Sequence, residues 1–301
     1  MLGTVTSPPE VGALARALGN RLPPELVFGI GGGTGFGRFV YGPQTTLLTR
    51  ITTRETDREG FLATVCARLG VLYRQLSASS DAALARRLQA SIDGGLSPIV
   101  WVLGSVLPWA ASPASHHAVA VVAIDRDQAT VDDGEERRLS LPELLAAAAQ
   151  APGAHRRTLV VDGPPQRAIE EAVRDGLRAH LEQMWEGFGP PSVRSKFGLA
   201  GLTGWERTVA ADNAIGTELG AQVLMRGGGP GMRLAEAGVL ELAGEPAAAA
   251  CAGRAAEAWA GLGEALLWGT ATSDEVAAVR DAEQTTLEAI EATLPTAARK
   301  L

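Results

Sequence analysis

The sequence predicts an α+β protein, with helices and strands in its first half and helices in its second. Three observations carry this prediction. Helical periodicity dominates up to about residue 92, short β-branched segments bounded by turn residues are confined to residues 98–162, and no clear strand pattern follows Gly163-Pro164-Pro165. We therefore expect two domains, one spanning residues 1–164 and an all-helical one spanning residues 165–301.

Helices are expected at both ends of the chain. Residues 8–19 begin with two prolines and place Val11, Leu14 and Leu18 on one helical stripe. Glycines follow the predicted helix over residues 82–92, as is typical of a helix C-terminus. The other segments with helical periodicity are residues 58–69, 166–187, 205–220, 245–267 and 273–292.

Strands are expected in the middle of the chain, over residues 98–103, 117–124, 128–132 and 157–162. The second and third of these are joined only by Asp125-Arg126-Asp127. Such a short polar connection cannot cross over a sheet, so it predicts an antiparallel hairpin.

Composition excludes several classes of protein. The 301 residues include 27 basic and 34 acidic ones, a formal charge of −7, and without a Lys/Arg cluster this argues against nucleic-acid binding. Neither a signal peptide nor a membrane span is recognisable, so we expect a cytoplasmic protein that does not enter the membrane. Cys66 and Cys251 form no metal or disulfide framework. We expect no metal and no cofactor.

Two glycine-rich segments lack the spacing of nucleotide-binding loops. Residues 29–37 contain no G-x-G-x-x-G, and no GK[ST] follows them; we expect these glycines to allow close backbone approach. Residues 226–233 precede a helix predicted to begin near Met232. A structural turn there is favoured over an anion site at the helix N-terminus.

The predicted hairpin carries the candidate reactive side chains. His116 and His117 lie at the mouth of one strand, and Asp132 and Asp133 end the next. Pairing of the two strands would bring His117 beside one of the aspartates, and a carboxylate next to an imidazole is how a general base is built. The alternative is a surface hairpin with solvated polar ends, and spacing alone leaves the choice of aspartate open.

Motifs along nearly the whole chain resemble one protein family. They are LxxELVFGIGGGTGF, GLSPIVWV, LPW and HxVxVVxID in the first half, followed by FGLAGLTGW, RGGGPGMRLAEAG and AAEAWAGL. This order resembles the butirosin biosynthesis protein H family, aminoacyltransferases that move an acyl group from an acyl carrier protein to an amine of an aminoglycoside. The resemblance implies a papain-like cysteine-peptidase fold for the first domain and a helical C-terminal domain.

The resemblance also implies roles for residues. In that family a cysteine at the start of the first helix receives the acyl group, a histidine activates the thiol, and an aspartate orients the histidine. His117 matches the histidine, and Asp133 matches the aspartate better than Asp132 does. The cysteine is absent here, and its position falls on Thr6, with Ser7 next to it. The residues expected along the cleft are Gly31, Gly32, Gly33, Phe36, Trp109 and His116.

Three functions are compatible with this pattern. The favoured one is a biosynthetic enzyme of natural-product (antibiotic-type) metabolism, in which His117 and Asp133 promote cyclisation, condensation or direct acyl transfer without a cysteine acyl-enzyme. The second is a carrier-dependent acyltransferase with Thr6 or Ser7 as nucleophile, although a hydroxyl is a weaker nucleophile than a thiol. The third is a non-catalytic binding protein. A small-molecule substrate is expected in each case, an acyl carrier protein and a homodimer remain open, and the substrate's identity is not predicted.

Overall fold

The structure is a computed structural model that describes residues 9–33, 35–41, 44–48, 60–109, 116–151, 153–187, 191–212, 215–224 and 228–294. Its helices are α1 (Pro9–Ala17), α2 (Pro24–Ile30), α3 (Phe61–Leu69), α4 (Asp81–Asp93), α5 (Leu141–Gln150), α6 (Ile169–Glu186), α7 (Pro191–Arg194), α8 (Gly198–Glu206), α9 (Val209–Asp212), α10 (Gly216–Leu224), α11 (Gly229–Leu242), α12 (Pro246–Leu267) and α13 (Ser273–Thr293). Its strands are β1 (Gly37–Tyr41), β2 (Gln44–Leu48), β3 (Leu72–Ser77), β4 (Ile99–Leu103), β5 (His116–Asp125), β6 (Gln128–Asp132), β7 (Glu136–Ser140) and β8 (Arg157–Asp162).

The chain divides into two units that are not contiguous in sequence. Among the described residues, the sheet unit contains residues 9–27 and 60–169, and the helical unit contains residues 28–48 and 170–294. The α+β class predicted from the sequence is confirmed. None of the described helices combines the length and apolarity needed to cross a lipid bilayer.

The sheet unit is built on six antiparallel strands in the order β3-β8-β4-β5-β6-β7. One face is apolar because alternate residues of its central strands, such as Val100, Val102, Val119 and Val131, point to it. Helices α4 and α5 cover this face with their buried leucines and alanines. The resulting core fixes the register of the strands that carry the candidate site.

Helix α1 packs against the sheet from the opposite face. It contacts β4, β5 and β6, and its Arg16 pairs with Asp132 at 3.9 Å. Asp132 alternates with Val131, which lies in the core under α4 and α5, so Asp132 points away from that core. The helix comes very close to the sheet at Gly12. A Cβ atom there would lie 2.4 Å from the backbone nitrogen of Gly134 and 2.5 Å from the carbonyl oxygen of Asp133.

The helical unit has a core formed by α8 to α10, α12 and α13 around stacked aromatic rings. Phe36 stacks on Trp205, with 5.9 Å between ring centroids, and lies 5.7 Å from Trp259. The backbone after Phe36 is held as well, because the N–H of Arg38 donates to the carbonyl of Lys196. Residues 28–48 therefore belong to the helical unit, although sequence contiguity had assigned them to the first domain. The second unit is not all-helical, since it includes the hairpin of β1 and β2.

Most predicted elements are present, and the differences have physical reasons. The hairpin of β5 and β6 turns at Arg126-Asp127, where Arg126 adopts a left-handed φ of 55°. The predicted helix over residues 205–220 was wrong, because the described part of that stretch contains the end of α8, α9 and the start of α10. Strands β3 and β7 were missed because they are the two edges of the sheet, where most side chains are exposed or half-buried and the sequence lacks the apolar alternation of a buried strand.

Candidate functional site

The β5–β6 hairpin places a histidine and an aspartate at the same end of the sheet. Strand β5 starts at His116 and β6 stops at Asp132, and Ala120 pairs with Asp132 across the hairpin. His117 is opposite Val102 of β4, so its side chain shares the sheet face that carries the α4 and α5 core. Asp133, the residue that follows β6, reaches the same position from the neighbouring strand.

The two side chains are in direct contact. His117 Nε2 lies 2.6 Å from Asp133 Oδ2. The residues are 7% and 1% exposed, so the hairpin does not end in a pair of solvated polar groups. With a carboxylate as acceptor, Nε2 carries the proton of the neutral imidazole, and Nδ1 becomes the nitrogen with the free lone pair. This arrangement can take up and return a proton at Nδ1.

The structure distinguishes the two aspartates. Asp132 accepts a hydrogen bond of 2.8 Å from the backbone N–H of Gly134 and pairs with Arg16 on the α1 face. Asp133 contacts His117 on the other face. Of the two residues left open by the sequence, Asp133 is the one that orients the imidazole.

Trp109 lies against the same carboxylate. Its indole Nε1–H donates to Asp133 Oδ2 at 3.1 Å, and its ring packs against the α4 and α5 core. The guanidinium carbon of Arg137 lies 5.2 Å from the centroid of the indole ring, a cation–π distance. Arg137 is also ion-paired with Glu135. A single oxygen of Asp133 therefore accepts from both an indole and an imidazole.

The other site residues predicted from the sequence fall into two groups. Thr6 and Ser7 lie outside the described residues, and so does the side chain of His116, whose backbone pairs with Leu103. Gly31, Gly32, Gly33 and Phe36 belong to the helical unit. Phe36 is fully buried in its aromatic core. Among the predicted residues, the structure brings together His117, Asp133 and Trp109.

Two of the predicted glycines line a narrow crevice inside the helical unit. Gly32 and Gly33 have left-handed φ angles of 91° and 53°, which favour glycine over other residues. The residues that line the crevice are Phe28, Gly29, Gly32, Gly33, Leu177, His180, Glu236 and Val239. The crevice is too narrow to admit a water molecule. These glycines therefore allow the left-handed turn that follows α2, in which the N–H groups of Gly32 and Gly33 donate to the carbonyls of Gly29 and Phe28.

A buried ionic network next to this crevice was not predicted. His180 Nε2 lies 3.0 Å from Glu236 Oε1, and Arg233 Nε lies 2.5 Å from Glu283 Oε1. Trp259 Nε1–H donates to that same oxygen of Glu283 at 2.5 Å. These residues are at most 3% exposed. The signal that could have found them is a set of charged residues at helical spacing with apolar neighbours, as in Arg233, Glu236 and Val239 of α11.

Cys66 is expected to be chemically inert in the folded protein. It is fully buried on α3, and burial raises the pKa of its thiol to about 12, so almost no thiolate is present at neutral pH. In a titration with an aromatic disulfide reagent, we expect the Cys66 thiol to react only after the protein is unfolded. Rapid labelling of the Cys66 peptide in the native protein, detected by mass spectrometry, would contradict this prediction.

Comparison with known proteins gave neither a matching family model nor a significantly similar curated protein. Fold and site together define an α+β protein with a buried His–Asp pair at one end of an antiparallel sheet. Among the described residues, no cluster of three histidine, cysteine or acidic side chains is arranged to hold a metal ion.

Proposed function

We propose that this chain is a biosynthetic enzyme in which His117 acts as a general base and acid on an acyl substrate, oriented by Asp133 and without a cysteine acyl-enzyme. The observation that carries the proposal is the 2.6 Å contact between His117 Nε2 and Asp133 Oδ2 in a buried setting. A carboxylate in this position fixes the imidazole tautomer and stabilises the imidazolium that forms during proton transfer.

The sheet unit is proposed to be papain-like, in line with the family resemblance. The antiparallel order of its strands, a helix packed across the sheet and a His–Asp pair at the adjoining ends of β5 and β6 support this assignment. Cys66 does not replace the missing family cysteine, because its thiol is buried and protonated at neutral pH. The chemistry therefore relies on the histidine rather than on a thiolate.

The proposed reaction is direct acyl transfer from a thioester to an amine. The amine nitrogen attacks the thioester carbonyl while His117 Nδ1 takes one of its protons, giving a tetrahedral intermediate. The intermediate collapses with cleavage of the C–S bond, and the imidazolium returns the proton to the departing thiolate. The products are an amide and a free thiol, and His117 returns to its neutral form, so the reaction is balanced.

The full-length protein tests this proposal with S-acyl-N-acetylcysteamine thioesters and glycinamide as acceptor. Release of thiol is followed with a colorimetric reagent. We expect His117→Ala to slow the release by about 100-fold or more, because a positioned general base contributes at least that factor. Asp133→Asn should act in the same direction, since an amide can stabilise the wrong tautomer.

Two controls separate this mechanism from its alternatives. His155 is exposed and its Nδ1 lies 2.7 Å from the Ala149 carbonyl, so His155→Ala should leave thiol release unchanged. Intact mass should show no acyl adduct, and Thr6→Ala and Ser7→Ala should be active. An adduct on Thr6 or Ser7 would favour the acyl-enzyme alternative. Thiol release no faster than in the absence of protein would favour a non-catalytic binding protein, and catalysed release that is indifferent to His117 would overturn the role of His117.

A further inference from the structure

The indole of Trp109 makes specific polar contacts, which a residue that only lines a pocket would not need. Its N–H donates to Asp133 Oδ2, the same atom that contacts His117. The ring of Trp109 is held as well, because the guanidinium of Arg137 lies over it and is itself paired with Glu135. The contacts therefore run from Arg137 through Trp109 to Asp133 and then to His117.

A carboxylate group can rotate and exchange the oxygen that it presents to a given donor. A second donor aimed at Oδ2 stabilises the rotamer in which that oxygen faces the imidazole. Because Asp133 is 1% exposed and packs beside the partly buried indole, the bond is also shielded from competing water. Hydrogen bonds to charged groups in such surroundings are stronger than exposed neutral ones.

We propose that Trp109 is a positioning residue for the His–Asp pair, with Arg137 holding its ring in place. Its function is to keep Asp133 Oδ2 aimed at His117 Nε2, so that Nδ1 is the nitrogen that exchanges protons with the substrate. This inference deepens the proposed function and rests on it for its catalytic meaning. The geometric part, that Trp109 maintains the His117–Asp133 bond, can be tested without any substrate.

Proton NMR of the full chain tests the geometric part. The Nε2 proton of a buried histidine bonded to a carboxylate resonates far downfield, and its exchange with water reports how often the bond opens. In Trp109→Phe, which keeps a ring and removes the N–H, we expect exchange to be about tenfold faster because one hydrogen bond to a charged group is lost. Asp133→Asn identifies the resonance by shifting or abolishing it.

Trp101→Phe is the matched control. Trp101 lies in β4 of the same sheet and is fully buried, and its Nε1 has no hydrogen-bond partner among the described residues. The change should leave the exchange rate of the His117 proton unaltered. Equal rates in Trp109→Phe and Trp101→Phe would overturn the proposal. If Trp109→Phe does not fold, Arg137→Met provides the test, because it leaves Trp109 in place. Faster exchange of the His117 proton in this variant supports the proposal, and an unchanged rate overturns it.

Thiol release separates failure of this inference from failure of the proposed function. At saturating thioester, Trp109→Phe should lower the rate about tenfold with little change in KM, because misaiming a catalytic group affects turnover more than binding. If the wild type releases no thiol but the resonance depends on Trp109, the positioning role stands and the proposed activity fails. If release depends on His117 but Trp109→Phe behaves like Trp101→Phe, the activity stands and the positioning role is wrong.

Discussion

Replacing Arg233 with methionine is expected to lower the free energy of unfolding by about 3 to 5 kcal/mol, the cost of leaving a buried charge without its partner. Arg233 donates from Nε to Glu283 Oε1 at 2.5 Å, and its Nη1 lies 3.6 Å from Glu236 Oε2. Methionine fills a similar volume but leaves two carboxylates buried in the helical unit with no guanidinium between them. Urea denaturation followed by circular dichroism measures the effect.

Arg280→Met provides the matched control. Arg280 also pairs with two carboxylates, those of Glu206 and Asp281, but its side chain is 27% exposed. Exposed ion pairs contribute little to stability, so the control should lose at most about 1 kcal/mol. Adding Glu283→Gln to Arg233→Met should recover part of the loss, because one uncompensated charge is removed. A loss for Arg233→Met no larger than that of Arg280→Met would show that the network is not energetically coupled.

Gly12→Ala is expected to destabilise the protein by about 2 to 3 kcal/mol, in the range typical of overpacking. The three atoms nearest to the new methyl group would all be backbone atoms, those of Asp133 and Gly134 at 2.4 to 2.5 Å. Backbone cannot move aside as a flexible side chain can, so either α1 must lift or the peptide that presents Asp133 must shift. We therefore also expect the downfield His117 resonance to weaken or disappear.

Gly253→Ala tests whether this loss arises from contact rather than from the substitution itself. Gly253 lies inside α12, and an added Cβ there would meet no atom within 4 Å. Alanine favours helix more than glycine does, so this variant should gain about 0.5 to 1 kcal/mol. Denaturation midpoints of the two variants should therefore move in opposite directions. A Gly12→Ala protein as stable as Gly253→Ala would contradict the close approach of α1 to Asp133.

Sequence periodicity was sufficient to predict the elements whose burial follows a regular pattern. The strands at residues 98–103 and 128–132 and the helices at 82–92 and 273–292 were predicted to within a few residues. The capping box at Ser140 and Glu143 was present in the sequence and would have predicted α5. Periodicity could not show that Phe36 packs with Trp205 and Trp259, because pairing across more than 160 residues leaves no local pattern.

The candidate site was predictable only as far as local geometry determines it. A short turn brings the start of one strand beside the end of the next, so the approach of His117 to an aspartate followed from spacing. Choosing Asp133 over Asp132 required knowledge of which sheet face each side chain points to. Predicting the contact with Trp109 required knowledge that the chain after β4 folds back towards β6. The buried network of Arg233, Glu236 and Glu283 was missed because composition alone suggests that charged residues are solvated.

The interleaving of the two units in sequence affects how the protein can be made. Residues 28–48 leave the ribosome early, yet the partners of Phe36 and Gly37 begin with Phe197, about 160 residues later. At ordinary rates of translation, roughly 8 to 30 seconds pass between the synthesis of Phe36 and that of its partners. During that interval the Phe36 ring lacks its aromatic partners, so we expect nascent chains to depend on a holding chaperone. For the same reason, a fragment cut at residue 164 would carry this uncovered segment with it.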